Sequence, residues 1–238
     1  MRMKILILGH NGLLGNMVYS YFKDKYDIIT TNLRWESDDF KQFIIKQNPD
    51  FIINCIGIIP QRKPAEELYM LTNYRLPVWL DSLGIKIIHP DTDESADTPY
   101  GLAKKMAKDE IINNTKILKT SIMGFEKGSN FSFLEWFLTA EGKVNGYTNQ
   151  FWNGNTTLEW TKWAERLILD WNNFERITIL VNPECVSKYE ILLKIKKIFN
   201  KDIEIIPTES IAKYNCMNGL TTPNIEDQLI EMKKFCNR

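Results

Sequence analysis

Residues that hold metals are scarce in this sequence. There are two histidines, His10 and His89, and four cysteines, Cys55, Cys185, Cys216 and Cys236, with no metal-ligand spacing among them. That argues against a zinc site and leaves free thiols in a reducing compartment as the expectation. An excess of charge is missing too. Lys+Arg and Asp+Glu both number 30 among 238 residues, so no global field draws the chain to nucleic acid or to a lipid surface. Long apolar runs are absent. No stretch approaches the roughly 20 apolar residues of a membrane span. The run Ile5–Leu8 behind Met1-Arg2-Met3-Lys4 is too short for the core of a signal peptide. Internal repeats and low-complexity linkers are lacking as well. With hydrophobic residues at 44% and charged residues at 25%, the composition is that of a globular protein, and a cytoplasmic one is expected.

What the sequence does contain is an alternation. Lys4–Leu8 is apolar and β-prone, and Leu13–Lys23 then carries Leu14, Val18, Tyr19 and Phe22 at helical spacing. Strands at 27–31, 50–55, 85–89 and 115–120 are predicted, with helices at 38–47, 65–82 and 100–113 between them. This rhythm predicts an α/β fold, a doubly wound, Rossmann-like parallel sheet with helices on both faces. After Thr120 the rhythm breaks, and aromatic and polar residues mix between Phe131 and Trp152. Helices at 158–171, 188–199 and 225–235 and strands at 177–181 and 203–207 are predicted there. The division expected is a main domain over 1–123 and a smaller C-terminal α/β part over 124–238, with the strand at 177–181 returning to the main sheet.

Gly9-His10-Asn11-Gly12-Leu13-Leu14-Gly15 is a G-x-x-G-x-x-G turn between the first strand and the first helix. The first glycine allows the tight turn and the second lets backbone approach a pyrophosphate. The third lets helix and strand pack closely, and the helix N-terminus offers unpaired N–H groups. At the mouth of a βαβ unit, that arrangement points to a dinucleotide, NADP or NAD. His10 reads as a solvated loop residue. Arg34 follows the second strand, which ends in Ile29-Thr30-Thr31 without an acidic residue, and it could grip a 2′-phosphate.

Tyr100 and Lys104 lie at i and i+4, on one face of a helix. A phenol with pKa near 10 becomes useful in acid–base chemistry when a cation stabilises its phenolate. Lys104 could supply that cation, and Tyr100 could protonate a carbonyl oxygen as hydride reaches its carbon.

With these motifs the chain resembles the extended short-chain dehydrogenases/reductases of deoxysugar biosynthesis, above all the dTDP-4-dehydrorhamnose reductase group. Met3–Gly15 resembles the opening strand and loop of that family, and Pro49–Gly57 its third strand. Asn73 and Pro77 fit its N-x-x-x-P helix, and Lys119–Gly124 the segment beside the nicotinamide. Leu134–Phe137, Gly146-Tyr147 and Thr156–Glu159 resemble its substrate side. The resemblance implies a doubly wound fold and a nucleotide-sugar substrate; a homodimer is one assembly open to the chain. It places Gly9, Asn11, Gly12, Leu13, Leu14, Gly15, Arg34, Asn54, Cys55, Ile56, Gly57, Tyr100 and Lys104 at the cofactor, and Tyr100, Lys104 and Thr92 in catalysis. The activity implied is NAD(P)H-dependent reduction of a 4-keto-6-deoxy nucleotide sugar. Epimerisation or dehydration would use the same dyad. In one respect the chain departs from the family. The family's Ser-Thr-Asp segment precedes its tyrosine by some two dozen residues, whereas Thr92 precedes Tyr100 by eight (100 − 92). Either Thr92 is the hydroxyl that orients the carbonyl, or that residue has been deleted. The second case would suit a non-catalytic binding subunit such as the reductase-like regulatory subunit of methionine adenosyltransferase.

Overall fold

A computed structural model of the chain describes residues 2–211 and 216–238. Two units interleave along the sequence. One comprises Met1–Lys119 and Thr161–Thr178, the other Thr120–Trp160 and Ile179–Arg238.

In the first unit β1 (Lys4–Leu8) leads through the glycine turn into α1 (Leu13–Phe22). Then come β2 (Asp27–Thr30), α2 (Asp38–Gln47) and β3 (Phe51–Asn54). A helical stretch follows, divided into α3 (Glu66–Tyr69), a π-helical turn (Met70–Arg75) and α4 (Leu76–Asp81). It is succeeded by β4 (Lys86–Asp91), α5 (Pro99–Glu110) and β5 (Thr115–Lys119). All pairings among these strands are parallel, in the order β5-β4-β3-β1-β2, with Leu6 opposite both Ile29 and Ile52, and Ile52 opposite Ile87. Side chains alternate between the faces of a strand. Leu6, Leu8, Ile52 and Ile87 therefore share one face, and they pack with Phe40 and Ile44 of α2 and Leu76 and Leu80 of α4. β1 has β2 on one side and β3 on the other. This reversal of winding opens a crevice at the carboxyl ends of the strands, and the glycine turn sits there.

The second unit contributes β6 (Ile122–Met123), α6 (Phe133–Thr139), β7 (Lys143–Tyr147), β8 (Phe151–Trp152) and β9 (Asn155–Thr156). α7 (Thr157–Leu169) begins in it and continues into the first unit. β10 (Ile177–Val181) passes the other way, and β11 (Val186–Ser187), α8 (Lys188–Phe199), β12 (Glu204–Thr208), β13 (Leu220–Thr221) and α9 (Ile225–Phe235) complete the chain. Arg176 O, next to β10, accepts from Ile117 N at 2.7 Å, and β13 pairs with the far end of β10, so the central sheet has seven strands. Gln228 is the polar centre of the second unit. Its amide donates to Asn155 Oδ1 at 2.9 Å and Pro223 O at 2.7 Å, and its Oε1 accepts from Thr156 N at 2.9 Å.

Two expectations need correction. The single helix expected over 65–82 is interrupted by the π turn. Pro77 explains this: it has no N–H for the Asn73 carbonyl, and in α geometry its ring would strike that carbonyl. A wider i→i+5 turn relieves the clash. The four cysteines are not all free thiols, because Cys185 and Cys216 form a disulfide with Cα atoms 5.9 Å apart, while Cys55 and Cys236 are unpaired. Asn153 brings the two segments together. Its side chain takes both backbone groups of Met217, at 3.0 and 2.8 Å, and its carbonyl accepts from Asn182 N at 2.7 Å. Nothing in the spacing of the cysteines reveals such a pairing. Among the described residues, no helix is long and apolar enough to cross a membrane.

Candidate active site

Gly9 turns the chain at the end of β1 with φ of +76°, and a Cβ on it would lie 3.0 Å from the backbone of Cys55 and Ile56. A Cβ on Gly15 would come within 2.1 Å of Gly9 O. Only glycine lets α1 lie this close to the turn. Gly12 differs, since a Cβ there would meet only Gly9 O, at 3.4 Å. The protein itself does not need glycine at 12, but an incoming phosphate would. Gly12 also leaves α1 with no side-chain cap and no acid in its first turn. By contrast α2, α5, α6, α8 and α9 are capped by Ser37, Thr98, Ser132, Ser187 and Asn224. The end of α1 is thus left open to an anion, with its N–H groups and partial positive charge unopposed. Asn11 joins the turn to the chain beyond β2 by donating to Asn32 Oδ1 at 3.0 Å. Arg34 is exposed on that same segment. His10 lies beside the Tyr19 ring at 6.2 Å, and its Nδ1 is buried without a partner, so it is less solvated than its place in a loop suggests.

Asn54, Cys55, Ile56 and Gly57 continue from β3 beside the turn. Cys55 N donates to Leu8 O at 2.9 Å, and Ile56 N donates to Asn54 Oδ1 at 3.1 Å. Asn54 Nδ2 faces Nδ1 of the buried His89 on β4 at 3.2 Å. Since that amide nitrogen donates, His89 carries its proton on Nε2. Burial, and secondarily the charge of Lys104, holds this imidazole well below its ordinary pKa and keeps it neutral.

The segment from Thr92 to Thr98 is short but closes the site. Thr92 Oγ1 accepts from Glu94 N at 3.2 Å, Asp97 N donates to Ser95 Oγ, and the Thr98 hydroxyl caps α5 by accepting from Gly101 N at 3.0 Å. The segment lies against α5 so closely that a Cβ on Gly101 would stand 1.8 Å from Ser95 O. As a result, Thr92 comes close enough to Tyr100 for its side chain to act on the phenol. Lys104, one turn along α5 and buried, donates to Pro90 O at 3.0 Å. The structure therefore brings Thr92, Tyr100 and Lys104 together at the carboxyl end of β4. The Tyr100 phenol is raised to about 12, chiefly by burial; Thr92 works against the rise, and Asp91, Asp93 and Glu94 add to it. Burial lowers Lys104, and Asp91 partly opposes that.

Sequence reasoning did not assign Asp91, which is buried and paired with Lys108 at 3.4 Å. The spacing of Lys108, four residues beyond Lys104, was the available signal. Trp35 was also unassigned, and Asn73 entered only as part of a helix pattern.

Neither the family models nor the curated protein sequences contain a match to this chain. Solved structures do match. The dTDP-4-dehydrorhamnose reductase of Bacillus anthracis in complex with NADP superposes with a TM-score of 0.85 at 17% identity, covering 100% of both chains. The chain has that fold. A dTDP-4-dehydrorhamnose reductase of Clostridium acetobutylicum gives 0.80 at 18% identity over 99% of this chain and 100% of its own. The GDP-mannoheptose C4 reductase of Campylobacter jejuni with NADP bound gives 0.73 at 10% identity over 100% and 99%. The α/β, Rossmann-like architecture expected from the alternation of strands and helices is the observed one.

Proposed function

We propose that this chain is an NAD(P)H-dependent reductase that converts a keto group of a nucleotide-linked sugar to a hydroxyl, a 4-keto-6-deoxy sugar being the expected substrate. The observation that carries this reading is the Thr92–Tyr100–Lys104 cluster at the carboxyl end of β4, beside a glycine turn whose helix is left uncapped. The names of the structural neighbours support the nucleotide-sugar class and the dinucleotide. The short segment before Tyr100 was the main argument for a non-catalytic subunit. Its closure against Gly101, with Thr92 left beside Tyr100, favours the enzyme.

The residues present fit a dinucleotide. Gly9, Asn11, Gly12, Leu13, Leu14 and Gly15 would hold the pyrophosphate. Asn54, Cys55, Ile56 and Gly57 would lie along the nicotinamide half, together with Tyr100 and Lys104. Arg34, with no acid at the end of β2, would favour NADPH over NADH by meeting a 2′-phosphate. When bound, the cofactor supplies the hydride that reduces the carbonyl carbon. Thr92 and Tyr100 donate hydrogen bonds to the carbonyl oxygen, and Tyr100 transfers its proton there, so that the product is the alcohol. The Lys104 cation stabilises the phenolate left behind, which then takes a proton from solvent.

The test is reduction of a panel of 4-keto nucleotide sugars with NADPH. Tyr100→Phe is expected to cost about 10² or more in kcat with the Kd for NADPH nearly unchanged. The pH profile supplies the sign. Tyr100 donates only while protonated, which holds up to about pH 12, whereas Lys104 loses its charge below the ordinary lysine value. Turnover is therefore expected to decline on the alkaline side as pH rises through the lowered Lys104 pKa, well before the phenol ionises. Wild-type turnover in Tyr100→Phe would defeat the assignment.

A further inference from the structure

Asn54 closes β3 and His89 stands near the end of β4, and the parallel register brings them side by side. Ile53 lies opposite Ile88, so the next residue on each strand points to the same face of the sheet. Both are buried, Asn54 fully and His89 to 3% exposure. Their polar atoms form a short relay. Asn54 Nδ2 approaches His89 Nδ1 at 3.2 Å, and Asn54 Oδ1 accepts from Ile56 N at 3.1 Å. The second bond decides the first. A backbone N–H can only donate, so the Asn54 oxygen must face Ile56 and the amide nitrogen must face the ring. His89 Nδ1 is thereby left as an acceptor.

The peptide held in this way is one against which the glycine turn rests. A Cβ on Gly9 would stand 3.0 Å from Cys55 C, Cys55 O and Ile56 N, the atoms of the Cys55–Ile56 peptide. Cys55 N is tied in turn to Leu8 O at 2.9 Å. Rotating that peptide would press its oxygen or its N–H onto Gly9, and the turn would have to move. Histidine is otherwise a poor occupant of position 89. Its Nε2, which carries the proton, is buried with no hydrogen-bond partner among the described residues, and a polar group in that state costs stability. Ile87, two residues earlier on the same face, belongs to the apolar core. An apolar side chain at 89 would serve packing too, but it could not accept from Asn54. Burial and the charge of Lys104 keep the ring neutral, so the acceptor is retained.

We propose that His89 is a positioning residue of the nucleotide site, fixing the Asn54 amide from behind so that its oxygen sets the Cys55–Ile56 peptide against Gly9. His89 acts through Asn54 and touches neither cofactor nor substrate. The inference rests on the dinucleotide reading given above and adds to it a residue that stands behind the site.

Two variants separate the acceptor from the bulk of the ring. His89→Leu fills the space without an acceptor, and His89→Asn offers an amide oxygen where Nδ1 stands. Two quantities are measured at a temperature at which thermal unfolding shows each variant folded. They are the exchange rate of the Ile56 amide hydrogen without ligand and the Kd for NADPH. His89→Leu is expected to speed the exchange and to weaken NADPH, each on the order of tenfold for one lost hydrogen bond. His89→Asn is expected to bring both back to within about twofold of wild type. In the wild type, nitrogen-15 spectra of the imidazole should place the proton on Nε2, a measurement that needs no variant to fold. A proton on Nδ1 would overturn the assignment, as would equal losses in the two variants or NADPH binding unchanged in His89→Leu. If Ile56 exchange responds as expected but wild type does not bind NADPH, the dinucleotide reading fails, and the positioning role fails with it.

Discussion

Gly12 and Gly15 lie three residues apart in the same turn and are glycine for different reasons. At Gly15 the neighbour is the protein's own backbone, 2.1 Å from where a Cβ would stand, whereas at Gly12 the space is open apart from Gly9 O at 3.4 Å. Gly15→Ala is therefore expected to destabilise the fold by about 1–3 kcal/mol, the usual cost of overpacking, and to lower the melting temperature without ligand. Gly12→Val is expected to leave that melting temperature nearly unchanged and to abolish its rise with millimolar NADPH, since a ligand that binds only the native state stabilises it by mass action. A rise preserved in Gly12→Val would remove the pyrophosphate from this turn. At this scale the sequence was most informative where chemistry depends on short spacing. Tyr100 and Lys104 could be paired because i and i+4 share a helix face. Thr92 could not be settled, because its place depends on how Ser95 O meets Gly101, a contact with no local pattern. Asp91 and Trp35 went unassigned for a similar reason, as their partners lie 17 and 36 residues away.

Among the elements, the connection from α5 to β5 depends on one carboxylate. Asp81 at the end of α4 is buried and accepts from Ile112 N and Asn113 N at 3.1 Å, from Asn113 Nδ2 at 2.9 Å, and from the Thr115 hydroxyl at 2.6 Å. Replacing it strands several donors away from water. Asp81→Ala is expected to cost about 3 kcal/mol, measured by chemical denaturation, whereas an exposed carboxylate such as Asp38 should cost little. A loss below about 1 kcal/mol would show that water replaces the side chain. Element type was legible throughout the first unit because apolar periodicity decides it. The π turn was not, since the same periodicity continues across it and only Pro77 hints at the break. Strand β4 also runs two residues beyond the predicted His89. Its last residues are Pro90 and Asp91, types that propensity excludes from strands, yet their pairing with Leu118 and Lys119 of β5 keeps them in the sheet.

On the scale of the whole molecule, the alternation of strands and helices was sufficient to predict the doubly wound sheet, because parallel strands leave few ways to place their crossovers. The smaller strands β6, β8, β9, β11 and β13 have two residues each and carry no pattern that could announce them. Nor could composition reveal the disulfide, which joins segments that meet through Asn153 and the pairing of β10 with β13. That covalent link has a consequence for the integrity of the chain. The span it closes contains β11, α8 and β12, and Asn200, which caps α8 after Phe199, and Lys201 lie on the short link to β12. A protease cutting once at Lys201 would sever the backbone without separating the pieces. Electrophoresis in denaturant should then show a single species near 27.9 kDa until a reductant is added, and two fragments afterwards. Two fragments before reduction would mean that Cys185 and Cys216 had never been joined.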